Sequence, residues 1–224
     1  MKQLLLDIRA EALPTLDSFV CGRNSELLAR LRALAAPKSF DSVYVWGAAG
    51  SGRSHLLRAT QAAAEVLGRP VIRVEGILAA DELPLPTDGL LIVDDVDQLT
   101  SGGQIALFRA FNTARPIGLA LLLAGNAPPL QLVLREDLRS RIGAALIYEV
   151  QALSDEEKAE ALTRQAAGRG LRLAREVIDY LLRHGERDLP SLMAVLEAVD
   201  QASLEQKRSL SIPFLKEITR GMQE

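Results

Sequence analysis

Several residue types that specialise a protein are scarce in this chain. Its 224 residues include one cysteine, two histidines and one tryptophan. A single cysteine, Cys21, excludes an internal disulfide and is compatible with a reducing compartment. The histidines, His55 and His184, have no second ligand at metal-binding spacing. We therefore expect no zinc site and assign packing roles to these three residues.

Long apolar runs and an excess of one charge are also missing. The first apolar run breaks at Asp7, which is too early for a signal peptide, and no later run is long enough to span a membrane. The net charge is −3, with 26 basic and 29 acidic residues, which argues against a nucleic-acid-binding surface. We expect a cytoplasmic protein that binds neither membrane nor specific DNA.

The most informative segment present is a glycine-rich turn between a predicted strand, Val43–Trp46, and a predicted helix, His55–Leu67. The turn is Gly47-Ala48-Ala49-Gly50-Ser51-Gly52-Arg53-Ser54, and it fits the phosphate-binding pattern G-x-x-x-x-G-K-[ST] except that Arg53 replaces the lysine. Glycines let backbone N–H groups approach phosphate oxygens, and the helix N-terminus favours an anion. This predicts a nucleotide site, with Ser54 as a ligand of Mg²⁺. A turn that only joins strand to helix is the alternative.

Strand and helix patterns alternate along most of the chain. Further apolar runs lie at Pro70–Val74, Leu90–Val93, Leu119–Leu123 and Ala145–Val150, with helical patterns at Gln104–Ala114 and Glu136–Ile142. This alternation predicts an α/β fold, a three-layer parallel sheet covered by helices on both faces. From the capping box Ser154-Asp-Glu-Glu157 onward, the pattern predicts about four helices and no strand, the last helix beginning near Pro213.

Polar residues follow two of the predicted strands. Asp94 and Asp95 come directly after Leu90–Val93, at the sheet edge where an NTPase holds magnesium and orients water. Asp94 would be the metal-side residue and Asp95 would polarise the water, unless both only end the strand. Asn126 follows the fourth strand, where it could contact a γ-phosphate, although an asparagine before prolines is more often a turn residue.

Together these motifs resemble the AAA+ family, over roughly residues 15 to 220. Within it they are similar to the branch that contains the bacterial replication initiator DnaA and its shorter Hda-type relatives. Asp94-Asp95 with the following Val-Asp-Gln-Leu resembles the second acidic motif of that branch, and Asn126 matches the sensor asparagine. Asp137-Leu-Arg-Ser-Arg141 matches the box that holds the arginine finger. The segment that lines the adenine pocket is matched by Phe19, Val20, Gly22 and Asn24.

The resemblance implies an arrangement of domains and a set of roles. A tail over residues 1–14 would precede an AAA+ nucleotide-binding domain over 15–151 and a helical lid over 152–224. ADP or ATP would lie between the adenine segment and the phosphate loop, with Mg²⁺ as an optional ion. His55, which directly follows the loop, and Asp94 would also contact the nucleotide. Arg141 would act in trans on the nucleotide of a neighbouring subunit, where such a finger accelerates phosphoryl transfer by about 10³- to 10⁵-fold.

Three departures distinguish the chain from an initiator. It carries no C-terminal helix-turn-helix pattern. Arg53 is planar and bulkier than lysine, so hydrolysis should be weakened more than binding. Pro190 stands where the family usually has its second-sensor arginine, and whether Arg187 substitutes for that arginine stays open.

Near the N-terminus, Gln3, Leu4 and Leu6 resemble the short Q-L-x-L peptide that docks replication proteins on the DNA polymerase III sliding clamp (β subunit). An N-terminal strand or an unstructured tail is the alternative.

The combined hypothesis is a negative regulator of chromosomal replication initiation, associated with the replisome. It would hold ADP, dock on the DNA-loaded clamp and stimulate ATP hydrolysis by DnaA, with little ATPase activity of its own. The alternatives are an autonomous AAA+ ATPase, such as a helicase loader, and an initiator-like DNA-binding factor. The identity of the native nucleotide and the question whether the chain forms a homodimer stay open.

Overall fold

The computed structural model describes residues 14–74, 83–168, 173–184, 189–206 and 211–221. The chain divides into two compact units. The first contains Met1–Gly47 and Gly52–Val150, and the second contains Gln151–Glu224 together with Ala48–Ser51. No helix among the described residues is long and apolar enough to cross a membrane.

A five-stranded parallel sheet forms the centre of the first unit, with the strand order β2-β3-β4-β1-β5. The strands are β1 (Ser42–Trp46), β2 (Val71–Val74), β3 (Leu90–Val93), β4 (Ala120–Gly125) and β5 (Leu146–Glu149). The helices are α1 (Ser25–Ala35), α2 (Arg53–Val66), α3 (Ser101–Ala114) and α4 (Glu136–Gly143), with 3₁₀ turns at Val96–Gln98 and Pro129–Gln131. Each predicted strand is present, with its ends shifted by at most two residues.

Two helices begin earlier than the apolar pattern predicts. Helix α2 starts at Arg53 rather than His55, and α3 starts at Ser101 rather than Gln104. Two glycines in the first turn of α3 hide its periodicity, but Thr100 caps the helix by accepting a hydrogen bond from the Gly103 N–H at 3.2 Å.

The sheet is covered on both faces, as the alternating pattern predicts. One apolar layer joins α1 and α2 to strand residues such as Val45 and Ile92. The other joins α3 and α4 to the alternate strand positions, such as Leu91 and Leu121. Strand β4 is buried along its whole length because it lies at the centre of the sheet, whereas β5 lies at an edge.

The second unit is helical where it is described. Its helices are α5 (Asp155–Gly168), α6 (Arg175–His184), α7 (Leu189–Gln206) and α8 (Ile212–Gly221). The predicted capping box is present, because Ser154 N–H donates to Glu157 Oε2 at 2.8 Å and Glu157 N–H donates to Ser154 Oγ at 3.2 Å. Leu162, Ile178 and Phe214 belong to the shared apolar core of these helices.

Candidate nucleotide site and arginine finger

The glycine-rich turn adopts a conformation that requires glycine. Gly50 and Gly52 have φ angles of +74° and +99°. A Cβ on Gly52 would lie 2.7 Å from Cε2 of Phe19, closer than real Cβ contacts. Within the turn, Ser51 N–H donates to Ala48 O at 3.1 Å, and helix α2 follows at once. Exposed backbone followed by a helix N-terminus is the geometry that suits a phosphate group.

The predicted adenine segment packs against the start of α2. The ring of Phe19 lies 5.7 Å from that of His55. Nε2 of His55 is 3.4 Å from both Ser18 Oγ and Thr15 O. Burial lowers the pKa of His55, so the imidazole is neutral at pH 7. This histidine therefore links the segment to the helix and has no role as a cation.

The rest of that segment precedes α1. Gly22 has a φ of +47°, and the half-buried Val20 lies just before it. Asn24 is buried, and its N–H donates to Cys21 O at 2.8 Å. A tight turn thus carries the chain from the adenine segment into α1.

Arg53 is the one cationic residue within the glycine-rich turn Gly47–Ser54. Its Nη1 is buried and has no hydrogen-bond partner among the described residues. Its charge lowers the pKa values of both Tyr44 and Asp95, although burial raises them more. Guanidinium N–H groups are good donors to phosphate oxygens. The free donor and the glycine turn therefore fit a nucleotide phosphate.

At the carboxyl end of β3, Asp94 has contacts on both carboxylate oxygens. Oδ1 accepts from Asp95 N–H at 3.1 Å, and Oδ2 lies 3.5 Å from Nη2 of Arg73 on β2. The side chains of Asp94 and Arg73 are 8% and 11% exposed. Arg73 carries no signal in the sequence, because an arginine in a short strand belongs to no motif.

Asp95 has a left-handed backbone, with φ of +46° and ψ of +56°. Burial raises its pKa, and the neighbouring charges of Asp94 and Asp97 raise it further. The structure thus places the predicted water-polarising carboxyl in a strained and electrostatically unfavourable position.

Asn126 is held by Asp97. Its backbone N–H donates to Asp97 Oδ1 at 3.2 Å, and its Nδ2 donates to Asp97 Oδ2 at 2.9 Å. The sequence analysis quoted Asp97 as part of a motif but gave it no role. Its position two residues after the acidic pair, in a 3₁₀ turn, brings it to the end of the adjacent strand β4.

The two predicted magnesium ligands, Ser54 and Asp94, have different surroundings. Among the described residues, no group of three or more His, Cys, Asp and Glu side chains could hold a metal. The Ser54 hydroxyl belongs to an exposed residue, but the predicted second ligand, Asp94, is paired with a guanidinium. Ser54 and Asp94 therefore stay a predicted pair of Mg²⁺ ligands. The positive charge of Arg73 beside Asp94 opposes the binding of a cation there.

Arg141, the predicted finger, lies near the end of α4 and is exposed. Its Nη2 donates to Asn112 Oδ1 at 2.7 Å, and its guanidinium carbon lies 5.9 Å from the ring centroid of Phe108. Both partners are on α3, and neither belongs to a sequence motif. The nearby Asp137 pairs with Arg135, through contacts of 3.1 and 2.7 Å. Two side chains of α3 thus hold the guanidinium of Arg141 from the side.

Other predicted positions cannot be placed. Gln3, Leu4, Leu6 and Arg187 lie outside the described residues. Pro190 is the second residue of α7, where a proline is tolerated because the first turn of a helix needs no N–H donor.

Comparisons with known proteins agree with this architecture. Residues 155–219 match the family model of the Hda lid domain. Domain III of the Thermotoga maritima initiator DnaA aligns with a TM-score of 0.74 at 17% identity, over 94% of this chain and 98% of that chain.

Two further structures are similar. AMPPCP-bound DnaA from Aquifex aeolicus aligns with a TM-score of 0.69 at 23% identity, over 86% of this chain and 66% of that chain. A Thermotoga maritima RuvB mutant aligns with a TM-score of 0.71 at 18% identity, over 94% and 73%. The predicted AAA+ α/β fold with a C-terminal helical lid is confirmed.

Proposed function

We propose that this chain, a DnaA-related AAA+ protein with an Hda-type lid domain, is a negative regulator of chromosomal replication initiation. It holds ADP, docks on the DNA-loaded sliding clamp and stimulates ATP hydrolysis by DnaA. The reaction that it promotes takes place on the nucleotide of its partner.

The arrangement around Arg53 supports a nucleotide that is held rather than turned over. The glycine turn and the free Arg53 Nη1 suit phosphate oxygens. The carboxyls that would support hydrolysis are poorly arranged for it, because Asp94 is paired with Arg73 and burial raises the pKa of Asp95. The Asn126 amide donates one of its two N–H groups to Asp97.

The presentation of Arg141 is the observation on which the proposal mainly depends. The side chain is exposed, yet the side-chain Oδ1 of Asn112 and the Phe108 ring hold it in one direction. A fixed, exposed guanidinium can enter the site of another subunit with little loss of side-chain entropy. Its partner would be DnaA carrying ATP.

Clamp docking rests on the sequence of the tail. Gln3, Leu4 and Leu6 would supply a polar anchor and two apolar side chains to a pocket on the clamp. The clamp would then concentrate the regulator beside newly replicated DNA, where DnaA-ATP must be inactivated.

The proposal is tested by measuring phosphate release from DnaA-ATP in the presence of clamp loaded on DNA. We expect stimulation by the wild-type chain and a loss of about 10²-fold or more of it in Arg141→Ala, since a finger contributes charge stabilisation in the transition state. Arg139→Ala is the matched control, because Arg139 lies on the same helix and should leave stimulation intact.

Two results would contradict the proposal. One is equal stimulation by wild type and Arg141→Ala. The other is vigorous ATP hydrolysis by the chain alone that Arg53→Lys leaves unchanged, which would favour an autonomous ATPase.

A further inference from the structure

We propose that the nucleotide site takes a nucleoside diphosphate without a magnesium ion, because Arg73 occupies the carboxylate that would otherwise hold the metal. The inference rests on the proposed nucleotide binding and specifies its chemistry. It concerns the chain's own residues, Arg73, Asp94 and Arg53.

The Arg73–Asp94 pair is built into the sheet. Arg73 is the third residue of β2 and is in register with Ile92 of β3, two residues before Asp94. The Asp94 N–H extends the same ladder by donating to Val74 O at 3.1 Å. Because strand pairing fixes both backbones, the guanidinium stays beside the carboxylate, and Nη2 lies 3.5 Å from Oδ2.

Burial makes this pair costly to separate. The two side chains are 11% and 8% exposed, so neither charge can be resolvated easily if its partner is lost. A divalent cation on Asp94 would either displace the guanidinium or lie against it, and both arrangements are unfavourable. Magnesium also needs near-octahedral oxygen ligands and loses its water reluctantly.

Arginines supply the positive charge in place of the metal. Arg53 has a buried Nη1 without a partner among the described residues, at the start of the helix that follows the glycine turn. Its planar guanidinium can bind phosphate oxygens directly. A third phosphate would add negative charge without a divalent counterion, so the arrangement favours a diphosphate.

The experiment is a titration of the full chain with fluorescent ADP in magnesium buffer and in EDTA. For the wild type we expect dissociation constants that differ by less than about threefold, which is about half of the 1.4 kcal/mol that a tenfold change in affinity represents. In Arg73→Gln the carboxylate is released, and affinity should become roughly tenfold or more tighter with magnesium than with EDTA. Arg30→Gln is the control, because it removes an arginine from another ion pair, with Asp41, outside the site.

A direct metal readout complements the titration, with Mn²⁺ as the probe in electron paramagnetic resonance. The wild-type chain with ADP should give no protein-bound Mn²⁺ signal, and Arg73→Gln should give one. If Arg73→Gln is unstable, the double variant Arg73→Gln/Asp94→Asn removes both charges and should bind ADP equally in the two buffers.

The outcomes separate the two proposals. A tenfold or greater loss of wild-type affinity in EDTA, or bound Mn²⁺ in the wild type, overturns the metal-free site while leaving nucleotide binding intact. Absence of ADP binding in either buffer overturns the nucleotide site itself and the inference with it.

Discussion

Asp95 combines two unfavourable features in one residue. Its backbone is left-handed, a conformation that is unfavourable for residues with a Cβ, although asparagine and aspartate adopt it more often than others. Its carboxyl is partly buried beside the carboxylates of Asp94 and Asp97, and its pKa is raised. Strain of this kind is typical of functional sites, where it is retained at the expense of stability.

We expect Asp95→Asn to raise the free energy of unfolding at pH 7, because asparagine tolerates the backbone conformation and carries no charge. The pH dependence has a defined sign. The folded pKa lies above the ordinary 3.8, so the folded state binds more protons than the unfolded state between the two values. Wild-type stability therefore decreases as pH rises through that window, and the variant should lack this decrease. Urea unfolding followed by the fluorescence of Trp46, the single tryptophan, measures both effects.

Asp97→Asn is the matched control. Asp97 accepts two hydrogen bonds from Asn126, and an amide can replace only one of its two acceptor oxygens. This variant should lose about 1 kcal/mol of stability. A loss of stability in Asp95→Asn similar to that in Asp97→Asn would contradict the account of strain at Asp95.

At the level of elements, Arg69 joins segments that are far apart in sequence. It lies just after α2, it is 3% exposed, and it donates five hydrogen bonds of 2.5 to 3.1 Å to backbone carbonyl groups. The acceptors are at the end of α1, in the loop before β1 and in the turn before β3: Leu34, Ala36, Ser39, Asp88 and Gly89. One side chain thus binds carbonyl groups of three separate segments. Of these, the Gly89 carbonyl also accepts from the Ala120 N–H and the Ala36 carbonyl from the Ser39 N–H.

Replacing Arg69 with methionine keeps the bulk of the side chain but removes all five donors. We expect a loss of about 3 kcal/mol or more, because several of the acceptors would be left buried without a partner. Arg58→Met on the exposed face of α2 should change stability by less than about 0.5 kcal/mol. Urea unfolding followed by Trp46 fluorescence gives both values, and equal losses would refute the role of Arg69.

The whole molecule offers a thermodynamic test of nucleotide binding. Trp46 lies at the end of β1 and reports on the first unit only. A ligand that binds the folded unit at about 100 times its dissociation constant stabilises it by about 2.7 kcal/mol. We expect ADP to have this effect on the wild type and a much smaller effect at the same concentration on Arg53→Met, which loses the guanidinium that we propose binds phosphate. Equal stabilisation of the two proteins would show that Arg53 does not contact the nucleotide.

Local patterns were sufficient to predict the elements and their order. Strands such as Leu90–Val93 are short apolar runs, which burial within a few neighbouring residues makes recognisable. Ser154 and Glu157 predict the start of a helix, because capping also acts over a few residues. The glycine turn was predictable for the same reason, since the positive φ of Gly52 is a property of the backbone alone. The misplaced start of α3 also has a local cause, because its first-turn glycines weaken the periodic pattern.

The sequence by itself therefore determined the α/β class, the helical lid, the glycine-rich turn between a strand and a helix, and the position of a candidate finger on a short helix. Only the tertiary structure decided which strands are neighbours, and hence that Arg73 meets Asp94, Asp97 meets Asn126, and Asn112 holds Arg141. Each of these contacts joins side chains from different elements, whose separation depends on sheet order and helix packing rather than on local spacing. That is why Arg53 could be recognised as a departure from the motif, while Arg73, the arginine that contacts Asp94, could not.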